Sequence, residues 1–183
     1  YVIVTGCYAQ LDPDAIAAID GVNLVIGTNN RSKIVELVEQ LESTERQINA
    51  VRDIMKESNF EEMPLFGNES DKARAFMKIQ EGCNNYCSFC IIPYTRGKLK
   101  SRKIEDIVEE AKRLVDHGFH EIVLTGIHLG NYGVELPGRP TLADVVKALL
   151  EIPELYRIRF GSIESVEVSD ELVELMATDK RVC

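Results

Sequence analysis

At 183 residues, 45% hydrophobic and 28% charged, the chain is long enough to bury a core and too apolar to remain disordered. No apolar run reaches the roughly 20 residues of a membrane span, and no signal peptide is visible. A formal net charge of -9 gives no overall basic footprint for nucleic acid.

The cysteines stand at 7, 83, 87, 90 and 183, an odd and uneven set. A secreted disulfide scaffold is smaller and denser in cysteine, so a reducing cytoplasm is expected. There is no initiator Met, and Tyr1-Val2-Ile3-Val4-Thr5-Gly6-Cys7 reads as the middle of a strand. The chain is expected to be a piece of a longer protein.

Tyr1 to Val4 has a buried-strand pattern. Pro13 opens a short helix over 14–19, with Asp12 as its cap. Asn23 to Ile26 is a second strand. Ser32 is the expected cap of a helix over 34–42, where Ile34, Leu37, Val38 and Leu41 keep helical spacing. This βαβα piece predicts part of a small parallel α/β domain over residues 1–45. Residues 46–74 read as a linker, with Met63-Pro64-Leu65-Phe66-Gly67 as an apolar interruption and one strand expected to pack on a neighbouring domain.

From 75 to 183 a second α/β series follows. Strands are expected at 75–80, 121–125 and 157–160, and helices at 104–117, 141–151 and 171–177. Ser101 is a candidate cap for the first helix, Gly118 its stop, and Ser169 or Asp170 the cap of the last. Three βα units in succession predict parallel strands with right-handed crossovers, as in part of a barrel. Barrel chemistry sits at the carboxyl ends of strands. On that topology the thiol loop, the 126–133 turn and the 162–164 turn converge.

Cys83-Asn84-Asn85-Tyr86-Cys87-Ser88-Phe89-Cys90 places three thiols in one short loop. Thiolates so close together repel and oxidise unless a metal centre holds them. A structural zinc site wants four ligands, and His117, His120 and His128 are candidates for the fourth. A ferredoxin-type cluster wants four cysteines, which Cys7 or Cys183 could supply only by long-range closure. A redox pair Cys87–Cys90 leaves Cys83 idle. A four-iron cluster with one open iron uses all three. Just beyond, Arg96, Lys98, Lys100, Arg102 and Lys103 crowd together, either a solvated turn or a positive rim beside the site.

The pattern Cys-x-x-x-Cys-x-aromatic-Cys after a first barrel strand resembles the signature of radical S-adenosylmethionine enzymes, with Phe89 in the aromatic slot. The words Lys78 to Gly97 and Thr5-Gly6-Cys7-Tyr8-Ala9-Gln10 resemble the methylthiotransferases of that family, which modify tRNA or a ribosomal protein. Leu124-Thr125-Gly126-Ile127-His128-Leu129-Gly130-Asn131-Tyr132-Gly133 is similar to the branch acting on N6-threonylcarbamoyladenosine beside the tRNA anticodon. The isopentenyl-adenosine branch has Gln-Asn where this chain has Ile127-His128.

The resemblance implies a partial parallel (β/α) barrel preceded by part of a small α/β methylthiotransferase domain. It implies that Cys83, Cys87 and Cys90 hold a [4Fe-4S] cluster whose open iron chelates S-adenosylmethionine. Cys7 would be the last of three ligands to a second [4Fe-4S] cluster, its partners lying before residue 1. One S-adenosylmethionine then methylates a cluster-held sulfur, and a second yields the radical that removes hydrogen from C2 of the adenine. Phe89, Thr125, Gly126, Ser162 and Glu164 are the expected cofactor-binding residues, although Thr125-Gly126 departs from the usual Gly-Gly-Glu of the family. Implied partners are the tRNA anticodon loop, an electron donor such as flavodoxin or ferredoxin, and a sulfur donor, with no membrane. The target base would be turned out of its stack into the barrel mouth. Lys78 and Arg96 are read as ordinary salt-bridge formers or contacts to carboxylate or phosphate. Cys183 is given no role, and His117 and His120 are read as helix-end histidines.

Overall fold

A computed structural model describes residues 1–63 and 74–183. Most of the expected interruption at 63–67, and the part of the linker over 64–73, lie outside the described residues. Two compact units emerge. The first takes residues 1–63 and 82–98, and the second takes residues 74–81 and 99–183 of those described.

In the first unit, strands β1 (Val2–Thr5), β2 (Val22–Ile26) and β3 (Ile48–Asn49) form a parallel sheet in that order. Ile3 pairs with Leu24 and Val4 with Val25, while Leu24 pairs with Ile48. The central strand is apolar on both sides because helices cover both faces. Helices α1 (Cys7–Leu11) and α2 (Pro13–Ala17) bring Ala9 and Ile16 against Val22 and Val25. Helix α3 (Ile34–Thr44) brings Leu41 against Leu24 and Ile26 on the opposite face.

Asp12 caps α2 as expected, its carboxylate accepting the Ala15 N–H at 3.1 Å. Ser32 does not cap α3. A turn of 3-10 helix over Arg31–Lys33 precedes that helix, and Glu61 takes both the Ser32 hydroxyl and its N–H. The stretch read as a linker also contributes β3 and a 3-10 turn over Ile54–Lys56.

The second unit is built on strands β4 (Arg74–Lys78), β7 (Glu121–Thr125) and β8 (Arg157–Phe160), parallel and in the order β4-β7-β8. Between β4 and β7, β5 (Gln80–Glu81) and β6 (Lys100–Ser101) pair antiparallel. They are the two ends of an excursion, residues 82–98, that belongs to the first unit and contains α4 (Ile92–Arg96).

Helices α5 (Ile104–Asp116), α6 (Leu142–Leu150) and α7 (Asp170–Thr178) all supply the same core. Ile107, Ala111, Leu114, Val146, Leu149 and Leu172 share it with Met77, Ile122, Leu124 and Ile158 of the sheet. The alternate strand positions carry charge. There Glu121 meets Arg74, Arg157 and Arg159 at 3.4–3.6 Å, and Phe76 is exposed. After α7 the chain returns to β8, where a parallel bridge joins Ile158 to Val182. No closed barrel forms among the described residues.

Thr141 and Asp144 make a reciprocal capping box at α6, and Ser169 caps α7. Ser101 does not cap α5. Its hydroxyl reaches Glu135 and receives the Gly133 N–H, leaving Lys103 at the cap position.

Candidate functional site

The thiol loop is pinched at its neck. The Cys83 N–H donates to the Gly97 carbonyl at 3.2 Å. Gly82 has φ +72, and a side chain there would run into the Lys98 and Gly97 carbonyls. Within the loop, Cys90 N–H donates to Cys87 O at 2.9 Å, so these two cysteines end one tight turn. The Asn85 N–H lies 3.5 Å from Cys83 Sγ. Tyr86 holds φ +47 and meets the Tyr94 ring edge-on at 5.9 Å between centroids. Phe89 is 90% exposed.

Helix α4 ties the loop's far end into the first unit. The Thr28 hydroxyl donates to the Thr95 carbonyl, and Thr28 N–H donates to Gln10 Oε1 at 3.0 Å. One turn face of α4 reaches Cys7, whose sulfur accepts a hydrogen bond from Arg96 Nε at 3.2 Å. Cys7 and the three loop cysteines are therefore residues of one compact unit, and all are free thiols.

The basic cluster after the loop is not a continuous positive rim. Lys98 and Lys103 are exposed, but Lys100 and Arg102 are buried. Arg102 forms an ion pair with Glu110, and both side chains are walled off from water. The nearby Tyr132 hydroxyl donates to the Arg102 carbonyl, and burial, followed by the charges of Glu105 and Glu135, pushes its pKa far above that of a free phenol. Lys78 is in a salt bridge with Glu81 at 2.8 Å.

In the second unit, the carboxyl ends of the three parallel strands are joined by buried polar side chains. Gln80, two residues beyond β4 and fully buried, accepts the Ile127 and His128 N–H groups on one oxygen at 2.8 and 2.7 Å. Gly126 packs against that glutamine. The His128 ring contacts Asn131 on one side and Glu167 on the other. Thr125 and Gly126 are half-buried here, whereas Ser162 and Glu164 are exposed on the loop after β8. Sequence reading singled out Glu164. Gln80 and Glu167 carry no such signal, because each meets His128 from a segment tens of residues away. His117 and His120 bond backbone carbonyls, of Arg113 at 2.6 Å and Glu154 at 2.9 Å.

The sequence profile of the radical SAM superfamily matches residues 77–181. The chain belongs to the radical SAM superfamily. It is 42% identical to the threonylcarbamoyladenosine tRNA methylthiotransferase MtaB of Bacillus subtilis (strain 168), over 99% of this chain and 40% of that protein. The protein of the same name from Rickettsia prowazekii (strain Madrid E) is 40% identical over 99% of this chain and 42% of its own length. A tRNA-2-methylthio-N(6)-dimethylallyladenosine synthase of Clostridium novyi (strain NT) is 36% identical over 99% of this chain and 40% of its length. The chain thus spans about two fifths of the length of the curated relatives it matches.

Radical SAM enzymes use S-adenosylmethionine and a [4Fe-4S] cluster. Among the described residues, no three His, Cys, Asp or Glu side chains lie close enough together to hold a metal ion. The fit is one of donor chemistry: Cys83, Cys87 and Cys90 are free thiols on a single loop that contains no carboxylate or imidazole. Thiolates are the ligands iron–sulfur clusters take.

Proposed function

We propose that this chain is part of a methylthiotransferase that modifies ring carbon C2 of N6-threonylcarbamoyladenosine next to the tRNA anticodon. The observation that carries the reading is the three-thiol loop, set in a superfamily match and in a resemblance to MtaB proteins along nearly the whole chain. A neighbouring reading, methylthiolation of an isopentenyl-type adenosine, draws support from the 36% identity to the Clostridium novyi synthase.

On this reading Cys83, Cys87 and Cys90 hold the radical-generating cluster and leave one iron open for S-adenosylmethionine. When bound, that cluster supplies the electron for reductive cleavage of the cofactor's sulfonium. Phe89, Thr125, Gly126, Ser162 and Glu164 face or flank the cofactor. Cys7 contributes one ligand to an auxiliary [4Fe-4S] cluster, and Arg96 hydrogen-bonds its sulfur. Residues 1–45 belong to the amino-terminal methylthiotransferase domain, 46–74 connect, and 75–183 begin the barrel domain.

A partial barrel is supported by three features among the described residues: helices on one sheet face, a charged opposite face, and an isolated parallel bridge between Ile158 and Val182. The reading calls for tRNA, an electron donor such as flavodoxin or ferredoxin, and a sulfur donor, all met in the cytoplasm. Among the described residues no helix is long and apolar enough to cross a membrane.

Mass spectrometry of tRNA nucleosides from a strain lacking the gene tests the proposal. The 2-methylthio derivative of threonylcarbamoyladenosine should vanish while the unthiolated nucleoside accumulates. Unchanged thiomethyl content at that base would overturn it, and loss confined to the isopentenyl nucleoside would favour the neighbouring reading.

A further inference from the structure

Three loops follow the three parallel strands of the second unit, and their side chains interlock. The Gln80 side-chain oxygen receives two successive N–H groups, of Ile127 and His128, so the loop after β7 is pinned to the segment after β4. The His128 ring then spans to the loop after β8. Its Nδ1 lies 2.7 Å from Asn131 Nδ2, and its Nε2 meets Glu167 Oε1.

A carboxylate can only accept, so Nε2 carries a proton directed at Glu167, while Nδ1 is engaged by the Asn131 amide. Both ring nitrogens are thus committed. His128 is buried, so these bonds have little competition from water. Gly130 completes the arrangement: any side chain there would overlap Glu167 Cβ and its second carboxylate oxygen. That second oxygen is buried and has no hydrogen-bond partner among the described residues. The ring contact therefore holds an otherwise poorly satisfied carboxylate in place.

We propose that His128 and Glu167 form a clasp that fixes the loop after β8 and so positions Ser162 and Glu164 for S-adenosylmethionine. Both are positioning residues: they act through the loop and need not touch the cofactor. The inference rests on the radical SAM reading of the strand ends.

The test uses the full-length protein with its clusters reconstituted anaerobically. Cofactor affinity is measured by equilibrium dialysis with labelled S-adenosylmethionine, and loop order by hydrogen exchange of peptides covering 161–168. His128→Asn is too short to span to Glu167. Glu167→Leu keeps much of the bulk and removes the acceptor, so it remains informative if the first variant folds poorly.

Each single variant should speed exchange at 161–168 and weaken cofactor binding about tenfold, the size of one lost buried hydrogen bond. Iron and sulfide content should not change. The double variant should be no worse than the worse single, as for two members of one contact. Gly130→Ala should reproduce the same exchange and affinity changes with the clasp residues intact. Unaltered exchange, additive effects, or faster exchange with unchanged affinity would each overturn the clasp. If the unsubstituted protein itself binds no S-adenosylmethionine, the functional reading fails first and the clasp with it.

Discussion

The buried Arg102–Glu110 pair separates two accounts of the basic stretch that follows the thiol loop. If these charges were a rim for tRNA phosphates, removing Arg102 would flatten the salt dependence of tRNA binding and leave stability alone. The structure gives the opposite expectation. The two side chains are 5% and 4% exposed, and Glu110 lies on the face of α5 that carries Ile107, Ala111 and Leu114. Glu110→Ala removes a charged partner from a guanidinium that is walled off from water. Breaking a buried pair in this way costs about 3–5 kcal/mol. Replacing both residues with Met restores most of the loss, since apolar groups of similar volume need no partner. Urea and thermal unfolding of the full-length protein measure both changes, and a salt titration of tRNA binding measures the rest. A Glu110→Ala cost under about 1 kcal/mol, typical of an exposed pair, would refute the burial argument. So would a reduced salt slope in the stable double variant.

Other consequences can be tested alongside. Cys83→Ala, Cys87→Ala or Cys90→Ala should each abolish reductive cleavage of S-adenosylmethionine in anaerobically reconstituted protein; cleavage persisting in Cys87→Ala would sink the ligand assignment. Thr28→Val should leave the buried Thr95 carbonyl without its hydroxyl donor, at a cost of about 1–3 kcal/mol, and speed amide exchange across α4 more than across α6. Asp144 is held below the usual carboxylate range, first by the Thr141 N–H and then by its hydroxyl. A depressed folded-state pKa contributes stability above the unfolded value and loses it as pH falls through the folded one. Asp144→Asn should therefore destabilise near neutral pH, with the gap to the unsubstituted protein closing in acid; a gap independent of pH in urea titrations would count against the capping box.

Much of the architecture was legible because it is carried by periodicity and punctuation. The strands at 2–5, 22–26, 121–125 and 157–160 and the helices α3, α5, α6 and α7 were visible as apolar runs or helical stripes between capping and turn residues. Helices α1 and α4 were not, since five residues complete barely more than one turn and show no period. The caps assigned to Ser32 and Ser101 failed for one reason: Glu61 and Glu135 take those hydroxyls from far along the chain. The basic stretch misled because composition does not show where a partner lies. A signal was nevertheless present, since Glu110 falls in phase with the apolar face of α5, where an unpaired carboxylate would be costly. That three cysteines share one loop was legible by spacing alone. The clasp was not, because Gln80, His128 and Glu167 come from three separate segments and meet only once the strands are side by side.

The excursion between β5 and β6 changes how the thiol loop should be understood. In sequence it follows a strand of the second unit, as barrel logic expects. In space its neck is closed by its own residues, Cys83 to Gly97, and its helix is held by residues of the first unit, Thr28 to Thr95 and Cys7 to Arg96. A loop of eight residues bearing three thiols has little apolar surface with which to fix its own shape, and Tyr86 and Phe89 remain exposed. Its order must come from whatever anchors its ends. One end is anchored by backbone geometry that only Gly82 permits, and the other by a buried threonine and a cysteine some 70 to 90 residues earlier in the chain. The amino-terminal segment is therefore part of the support for the thiol loop.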